Sequence, residues 1–155
     1  MSDHKIFDYN YIVDGIYIGT NQCCQMHFDE MLLKKEMVTA DISLEEEKID
    51  QPFGVDFYLW MPVQDHQPPS PEQLEVGVLL LEKLVALKRK IYLHCKNGHG
   101  RAPTLAAAYL LHSQGKSVEG AETFLKAKRS GVHFQESQLS ALRALAKSKY
   151  EKSHS

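Results

Sequence analysis

The stretch from residue 91 to residue 111 constrains the fold more than any other part of the chain. It begins with a short hydrophobic segment, Ile91–His94, continues through a loop that holds two glycines, and ends in Ala102–Leu111, which is apolar almost throughout. A helix that is apolar on all sides lies in the centre of a fold, and a strand that enters it through a short loop is typical of an α/β unit. The sequence therefore predicts a central helix packed on a sheet, with a loop at the carboxyl end of a strand between them.

The remainder of the chain alternates β-rich and helical patterns in the same way. A hairpin with its turn at Asp14 and Gly15 and a helix with Ser70 at its N-cap are the clearest local signals. The alternation predicts one α/β domain, a three-layer sandwich with a mostly parallel central sheet of about four to five strands flanked by helices. The predicted strands cover 11–19, 38–42, 57–61 and 91–94, and the predicted helices cover 22–36, 71–90, 102–111, 117–128 and 135–147.

Length and charge set the outer limits of this domain. A chain of 155 residues has room for one domain, predicted here as residues 11–147 between an N-terminal arm (1–10) and a polar C-terminal tail (148–155). The charged run Glu45–Lys48 is predicted to be a solvated connection. The net charge of −2 provides no basic field for nucleic acid, so any affinity for anions has to be local.

The cysteine content and the hydropathy of the chain indicate its cellular compartment. Three cysteines, with Cys23 next to Cys24, do not resemble a disulfide-stapled secreted domain, and neither a signal peptide nor a membrane-spanning stretch is recognisable. We therefore expect a cytoplasmic monomer without integral membrane association. Cys23 and Cys24 are predicted to be small apolar residues at a helix start, with a protective disulfide to Cys95 as the alternative. The eight histidines show no convincing metal-ligand spacing, so no metal and no other cofactor is expected.

The loop that follows His94 contains the predicted nucleophile and the predicted phosphate-binding groups. Gly98 and Gly100 permit the positive φ angles with which successive backbone N–H groups turn towards one anion, and the positive end of the following helix dipole lies beneath them. The same field favours the thiolate form of Cys95, and Arg101 presents a planar fork of donors suited to two phosphate oxygens. The sequence thus predicts a phosphate site with a cysteine nucleophile; the predicted phosphate-binding residues are Lys96, Asn97, Gly98, His99, Gly100 and Arg101.

Transfer of a phosphoryl group to a thiolate also requires a proton donor for the leaving oxygen. Asp65 is the candidate, because it lies in a loop that holds four of the six prolines and follows a different strand of the same parallel sheet. His66 either binds substrate or tunes Asp65, or is an ordinary loop residue. His94 is expected to orient the loop behind Cys95 without contacting substrate.

These residues resemble a known family. The stretch His94–Arg101 resembles the His-Cys-x-x-Gly-x-x-Arg signature of the cysteine-dependent protein tyrosine phosphatase superfamily, in its small dual-specificity branch. The resemblance implies a two-step hydrolysis of a phosphorylated protein or small phosphate ester, with a phosphocysteine intermediate at Cys95 and Asp65 as general acid and then general base. It extends over about residues 11–145 and includes similar segments at 14–20, 106–111 and 115–121.

Ala102 is the main departure from that pattern, since the family usually has Ser or Thr directly after the arginine, where the hydroxyl helps the sulfur to leave. Thr104 lies about 200° further round the helix. We therefore expect slow hydrolysis of the phosphoenzyme.

Three alternatives remain open at this point. The first is a phosphoinositide or other small phosphate-ester phosphatase, because Asp65 to Pro69 together with Lys96 and His99 is somewhat similar to the phosphatase-and-tensin-type lipid enzymes. The second is a phosphate-binding pseudophosphatase, which Ala102 favours and the retained Cys95 and Asp65 disfavour. The third, a rhodanese-type sulfurtransferase, fits the chain poorly.

Overall fold

The computed structural model describes residues 7–153, and within them the chain forms an α/β domain. Five strands of this part of the chain form one sheet in the order β1-β2-β5-β3-β4, in which β1 is antiparallel to β2 and the other neighbours are parallel. The strands are β1 (Tyr9–Val13), β2 (Ile16–Gly19), β3 (Val38–Glu45), β4 (Phe57–Val63) and β5 (Lys90–His94). The helices are α1 (Gln25–His27), which continues as a π-helical segment (Phe28–Lys35), α2 (Pro71–Ala86), α3 (Arg101–Gln114), α4 (Val118–Lys128) and α5 (Glu136–Ser153). The predicted mostly parallel sheet with flanking helices is confirmed.

Local signals set several of these boundaries. Asp14 and Gly15, with φ angles of 54° and 84°, make the turn of the β1–β2 hairpin. Ser70 caps α2 by accepting from the backbone N–H of Gln73, and Pro71 occupies the first turn, where its missing N–H costs nothing. Gly115 ends α3 in the left-handed conformation with φ 66°. Each of these features involves residues close together in sequence, which is why the pattern predicted them.

The two faces of the sheet are covered differently. The larger core joins the sheet to α2, α3, α4 and α5 and includes most of α3, whose residues from 101 to 111 are all buried. A smaller cluster on the opposite face contains Phe28 and Leu32 of the π-helical segment together with Tyr92 of β5. Alternate residues of β5 therefore face different layers: Ile91 and Leu93 face the helices, whereas Tyr92 faces the smaller cluster.

Several predicted boundaries differ from the structure: the helix predicted over 71–90 ends at Ala86, and the strand predicted over 38–42 continues to Glu45. Part of the predicted arm belongs to the domain, because Phe7 is buried and β1 begins at Tyr9; residues 1–6 lie outside the described part. Helix α5 continues to Ser153, through most of the predicted tail, and Lys149 donates hydrogen bonds to the carbonyls of Leu111 (2.7 Å) and His112 (2.8 Å).

Strand β4 runs through Pro62 to Val63 instead of stopping at the proline. Because β4 is an edge strand, Pro62 breaks no ladder between two neighbours. Among residues 7–153, no helix combines the length and the apolar character needed to cross a bilayer.

Candidate active site

The carboxyl ends of the parallel strands meet around the loop 95–100. Cys95 follows β5 directly, and Arg101 is the first residue of α3, so that the loop connects a strand to the N-terminus of the central helix. Both side chains are 2% exposed. Gly98 has φ +71°, and a Cβ there would lie 2.6 Å from the carbonyl oxygen of Gly19, so this position excludes any side chain. Gly98 thus has the predicted positive φ, whereas Gly100 does not: its φ is −134°, and it is the N-cap residue of α3.

Arg101 is held by oxygen atoms from the segment that follows β3 and from the last residue of β4. Its Nη1 donates to Oε1 of Glu47 at 2.5 Å and to the carbonyl of Val63 at 2.8 Å, and its Nη2 donates to Oε2 of Glu47 at 3.1 Å. The Asp65 carboxylate lies 3.4 Å from Nη2. Burial alone would lower the pKa of Arg101, but the hydrogen bond to Glu47 and the charge of Cys95 raise it. The guanidinium is therefore a fixed positive charge next to the sulfur, with a bidentate carboxylate on its fork.

The prediction that Glu45–Lys48 is a solvated connection was wrong for Glu45, which is buried; Glu47 is exposed but binds Arg101. Glu45 is the last residue of β3, is 2% exposed, and accepts from the side-chain amide of Asn21 at 3.1 Å. Burial raises the pKa of Glu45, whereas the hydrogen bond to Arg101 lowers that of Glu47. A buried guanidinium requires a nearby counter-charge, and the end of β3 provides it. Arg101 lies 54 positions further along the chain, so no local spacing could have revealed the pair.

The proline-rich loop brings Asp65 to the site. The Asp65 side chain is 49% exposed and lies beside Arg101. Its carboxylate also accepts from the backbone N–H of His66 at 3.0 Å, and the His66 ring nitrogen Nε2 lies 3.5 Å from the other carboxylate oxygen. His66 itself has a φ of 69° and an exposed side chain, which packs towards Gln135 at the start of α5. The structure therefore places both predicted residues of this loop at one edge of the site.

His94 lies behind the loop, in the layer of the smaller cluster. Its Nε2 is 2.9 Å from a carboxylate oxygen of Asp41 and 2.7 Å from one of Asp50, and its ring stacks on Tyr92 with the centroids 5.1 Å apart. All three ionisable side chains are almost fully buried. Burial acts to lower the pKa of His94, but the two carboxylates raise it well above its ordinary value; burial also raises the pKa of Asp41. A positive ring therefore lies directly before Cys95 in the chain, away from the open face of the site.

The other predicted loop residues differ in exposure. Lys96 and Asn97 are exposed, whereas Gly98 is buried. The exposed His99 packs its ring over Gly131, and burial together with the charge of Arg129 lowers its pKa, so the ring is neutral at physiological pH.

Two residues that the sequence interpretation missed hold the loop from behind. The buried Arg129 donates from Nε to the carbonyl of Gly98 at 3.0 Å and from Nη2 to that of Asn97 at 2.9 Å. Gln138, 1% exposed, packs beside Gly100 and donates to the carbonyl of Gln67 at 3.2 Å, which connects the phosphate loop to the Asp65 loop. Both residues come from the helical half of the chain, and their side chains look like ordinary surface polar residues in the sequence.

Ala102 and Thr104 occupy the first turn of α3. Ala102 is buried and has no hydroxyl to offer the sulfur. The Thr104 hydroxyl donates to the carbonyl of Gly100 at 2.7 Å, a bond along the helix. The hydroxyl proton is engaged in that bond, so Thr104 does not replace the missing side chain.

Comparison with known proteins gives matches along most of the chain. Residues 16–148 match the family model "Dual specificity phosphatase, catalytic domain". The chain is 34% identical over 79 residues to human phosphatidylglycerophosphatase and protein-tyrosine phosphatase 1, covering 51% of this chain and 39% of that protein. It is 25% identical over 181 residues to mouse laforin, covering 100% of this chain and 54% of laforin. The matches therefore span about half, or less, of the length of these relatives.

Two solved structures share the fold over nearly their whole length. PTPMT1 in complex with PI(5)P has a TM-score of 0.82 and 26% identity, covering 94% of this chain and 98% of that one. Human DUSP28, with a TM-score of 0.78 and 20% identity over 90% of this chain and 96% of that one, supports the fold. Since the family match includes the loop, Arg101 and the central helix, the chain belongs to the dual specificity phosphatase catalytic-domain family, which consists of cysteine-dependent phosphatases.

Proposed function

We propose that this chain hydrolyses phosphate monoesters of phosphorylated proteins through a phosphocysteine intermediate at Cys95. The observation that carries the proposal is the buried guanidinium of Arg101 at the first residue of α3, next to the sulfur and on the far side of a glycine-shaped loop. A thiolate nucleophile and a planar clamp across one phosphate-sized loop suit in-line phosphoryl transfer. No other pair of side chains described above combines these two functions.

In the first step the Cys95 thiolate attacks phosphorus. The S–P bond forms as the P–O bond to the leaving group breaks, and Asp65 gives its proton to the leaving oxygen. In the second step Asp65 takes a proton from a water molecule, whose oxygen bonds to phosphorus as the S–P bond breaks. The half-exposed position of Asp65, beside Arg101 and open to solvent, supports both functions.

The equatorial phosphate oxygens are bound by Arg101 and by backbone N–H groups of the loop, with Lys96, Asn97, Gly98, His99 and Gly100 as the proposed cradle. Glu47 occupies the fork of Arg101 in the free protein. An incoming phosphate dianion therefore competes with this carboxylate for the guanidinium. His94 and His66 act as supporting residues, His94 behind the loop and His66 beside Asp65.

A second substrate class is favoured by one specific observation. Lys96 is exposed in the loop, and the similar PTPMT1 structure is a complex with PI(5)P. An additional cation in the cradle would suit a substrate with more than one phosphate, so phosphoinositides are the second candidate. We further propose that the chain is a monomer in the cytoplasm, a reducing compartment in which its three cysteines stay free thiols.

Hydrolysis of para-nitrophenyl phosphate under reducing conditions at mildly acidic pH tests the mechanism. We expect turnover by the wild type, inhibition by vanadate, no turnover by Cys95→Ser, and a loss in kcat of about 10²–10⁴-fold for Asp65→Asn. Asp56→Asn is the matched control, because Asp56 is a similarly exposed loop carboxylate, 58% exposed, in an ion pair with Arg89. Activity retained by Cys95→Ser would overturn the proposed nucleophile.

Two further results separate the alternatives. A folded wild type that binds vanadate without turning over any substrate would make the chain a phosphate-binding pseudophosphatase. For an active wild type, kcat/KM values for phosphotyrosine and phosphoserine/threonine peptides are compared with those for soluble phosphoinositides. Higher values for the peptides are expected, and higher values for the phosphoinositides would replace the first substrate class with the second.

A further inference from the structure

A second cluster of reactive side chains lies at the start of α1, separate from Cys95. The Cys23 sulfur is 3.1 Å and the Cys24 sulfur 3.3 Å from the same ring nitrogen, Nδ1 of His27. The two sulfurs are 4.0 Å apart. All three side chains are half-buried, so they are ordered by packing and remain reachable from solvent. No step of the phosphatase mechanism uses them.

Hydrogen bonds explain only part of this convergence: the Cys24 sulfur accepts from the backbone N–H of His27 at 3.5 Å, and the Cys23 thiol faces the Cys24 sulfur, but neither bond directs both sulfurs at the imidazole nitrogen. A neutral imidazole nitrogen offers either one lone pair or one N–H. A thiol is both a weak hydrogen-bond donor and a weak acceptor. Two sulfurs directed at one nitrogen therefore share a single weak bond. A cation between the three atoms would instead be a partner for each of them.

The distances suit a tetrahedral d¹⁰ metal ion. Zinc–sulfur bonds of about 2.3 Å and zinc–nitrogen bonds of about 2.0–2.1 Å imply sulfur–sulfur separations of about 3.8 Å and sulfur–nitrogen separations of about 3.5 Å. The separations of 4.0, 3.1 and 3.3 Å differ from these values by a few tenths of an ångström. Two thiolates and one neutral imidazole also balance the charge of a divalent ion, and thiolate ligands favour zinc over hard cations.

We propose that Cys23, Cys24 and His27 bind one Zn²⁺ ion, with the remaining position of the tetrahedron open to water or a further ligand. The sequence pattern Cys-Cys-x-x-His contains this site. It was overlooked in the sequence interpretation, where the two cysteines were assigned as small apolar residues and no histidine was given a metal-ligand spacing.

The site lies on a segment that contacts the phosphate loop. The backbone N–H of Asn21 donates to the carbonyl of Lys96 at 3.1 Å, and Lys48 donates to the carbonyl of Gln22 at 2.8 Å. An ion held by Cys23 and its two partners would therefore fix the conformation of the residues that directly follow these two contacts. Binding must displace the thiol proton, so the affinity for zinc falls as the pH is lowered.

Titration of the reduced, metal-free protein with Co²⁺, followed by displacement with Zn²⁺, tests the site. We expect one equivalent to bind, with a sulfur-to-cobalt charge-transfer band and the visible d–d bands of a tetrahedral ion, and to raise the melting temperature. The double variant Cys23→Ser/Cys24→Ser loses two direct ligands, so it should bind at least on the order of 100-fold more weakly, the upper end of the loss for an outer-shell partner, and lose both bands. Cys95→Ser, which removes the remaining cysteine, is the matched control and should bind like the wild type.

The outcomes are distinct. Circular dichroism without metal establishes that each variant is folded, and His27→Gln supplies a second disruption that leaves both thiols in place. Absence of the bands in the wild type would overturn the proposal. So would bands that persist in the double variant or disappear in Cys95→Ser, since the metal would then be bound elsewhere.

Discussion

Replacement of Arg129 by methionine should lower the free energy of unfolding by several kcal/mol, because this side chain holds the phosphate loop from behind. Arg129 is 4% exposed and donates to the loop carbonyls of Gly98 and Asn97 and to the side chain of Asn10 at 2.8 Å. Its ion pair with Asp8 adds little, since the Asp8 side chain is 61% exposed. Methionine fills much of the volume but leaves two backbone carbonyls without their charged donor.

Hydrogen bonds to a charged donor contribute about 1.5–3 kcal/mol each, and Arg129→Met removes two such bonds to backbone carbonyls of the loop. We expect a loss of about 3–5 kcal/mol in the free energy of unfolding for Arg129→Met. At about 2–4 °C per kcal/mol, the melting temperature should fall by roughly 6–20 °C. The measurements are urea and thermal unfolding, together with kcat/KM at a temperature where the variant is folded, which should also fall.

Arg143→Met is the matched control. Arg143 pairs with Glu136 on the surface, where the two side chains are 51% and 77% exposed. Its loss should change the stability by less than about 0.5 kcal/mol. A loss below about 1 kcal/mol for Arg129→Met, or equal losses for the two variants, would refute the reasoning that the buried arginine holds the loop.

Two more predictions concern the chemistry and the charge behind the loop. The buried Ala102 offers no hydroxyl to the sulfur, so the wild type should show a burst of product in quench-flow experiments and Ala102→Ser a smaller one; a wild type without a burst contradicts this. The raised pKa of His94 means that the stability from its ion pairs with Asp41 and Asp50 is complete below the unfolded value of about 6.5 and is lost as the pH rises through the folded value. In ring NMR titrations, assigned with His94→Gln, the folded chain should therefore hold the His94 proton at higher pH than the urea-unfolded chain does. A folded-state transition at or below the unfolded one would remove the basis for the charged ring.

The site residues that could be predicted lie close together in one short stretch of the sequence. His94, Cys95 and Arg101 lie within a strand, a loop and the first turn of a helix, and each of those units has its own local signal. The same holds for the hairpin at Asp14 and for the N-cap at Ser70. Backbone conformation over a few residues is decided by local sterics and hydrogen bonding, which a single sequence reveals.

The residues that support the site could not be predicted, because they meet the loop only after folding. Glu47 lies 54 positions from Arg101, and Arg129 lies 31 positions from Gly98. Asp41 reaches His94 across neighbouring strands, where register alone decides which side chains are adjacent. The π-helical segment was also missed as such, since its apolar spacing resembles that of an α-helix.

The charges around the loop explain how a buried site can bind a phosphate dianion. Arg129 binds the carbonyls of Asn97 and Gly98 from behind, and in a planar trans peptide the C=O and the following N–H point in opposite directions. The amides of the next residues are therefore turned towards the open side, where phosphate binds. Each buried cation has at least one acid beside it: Arg101 has Glu47 and Asp65, Arg129 has Asp8, and His94 has two carboxylates behind it. Glu47 is 39% exposed and occupies the guanidinium fork, so a phosphate can displace it without leaving a buried charge unpaired.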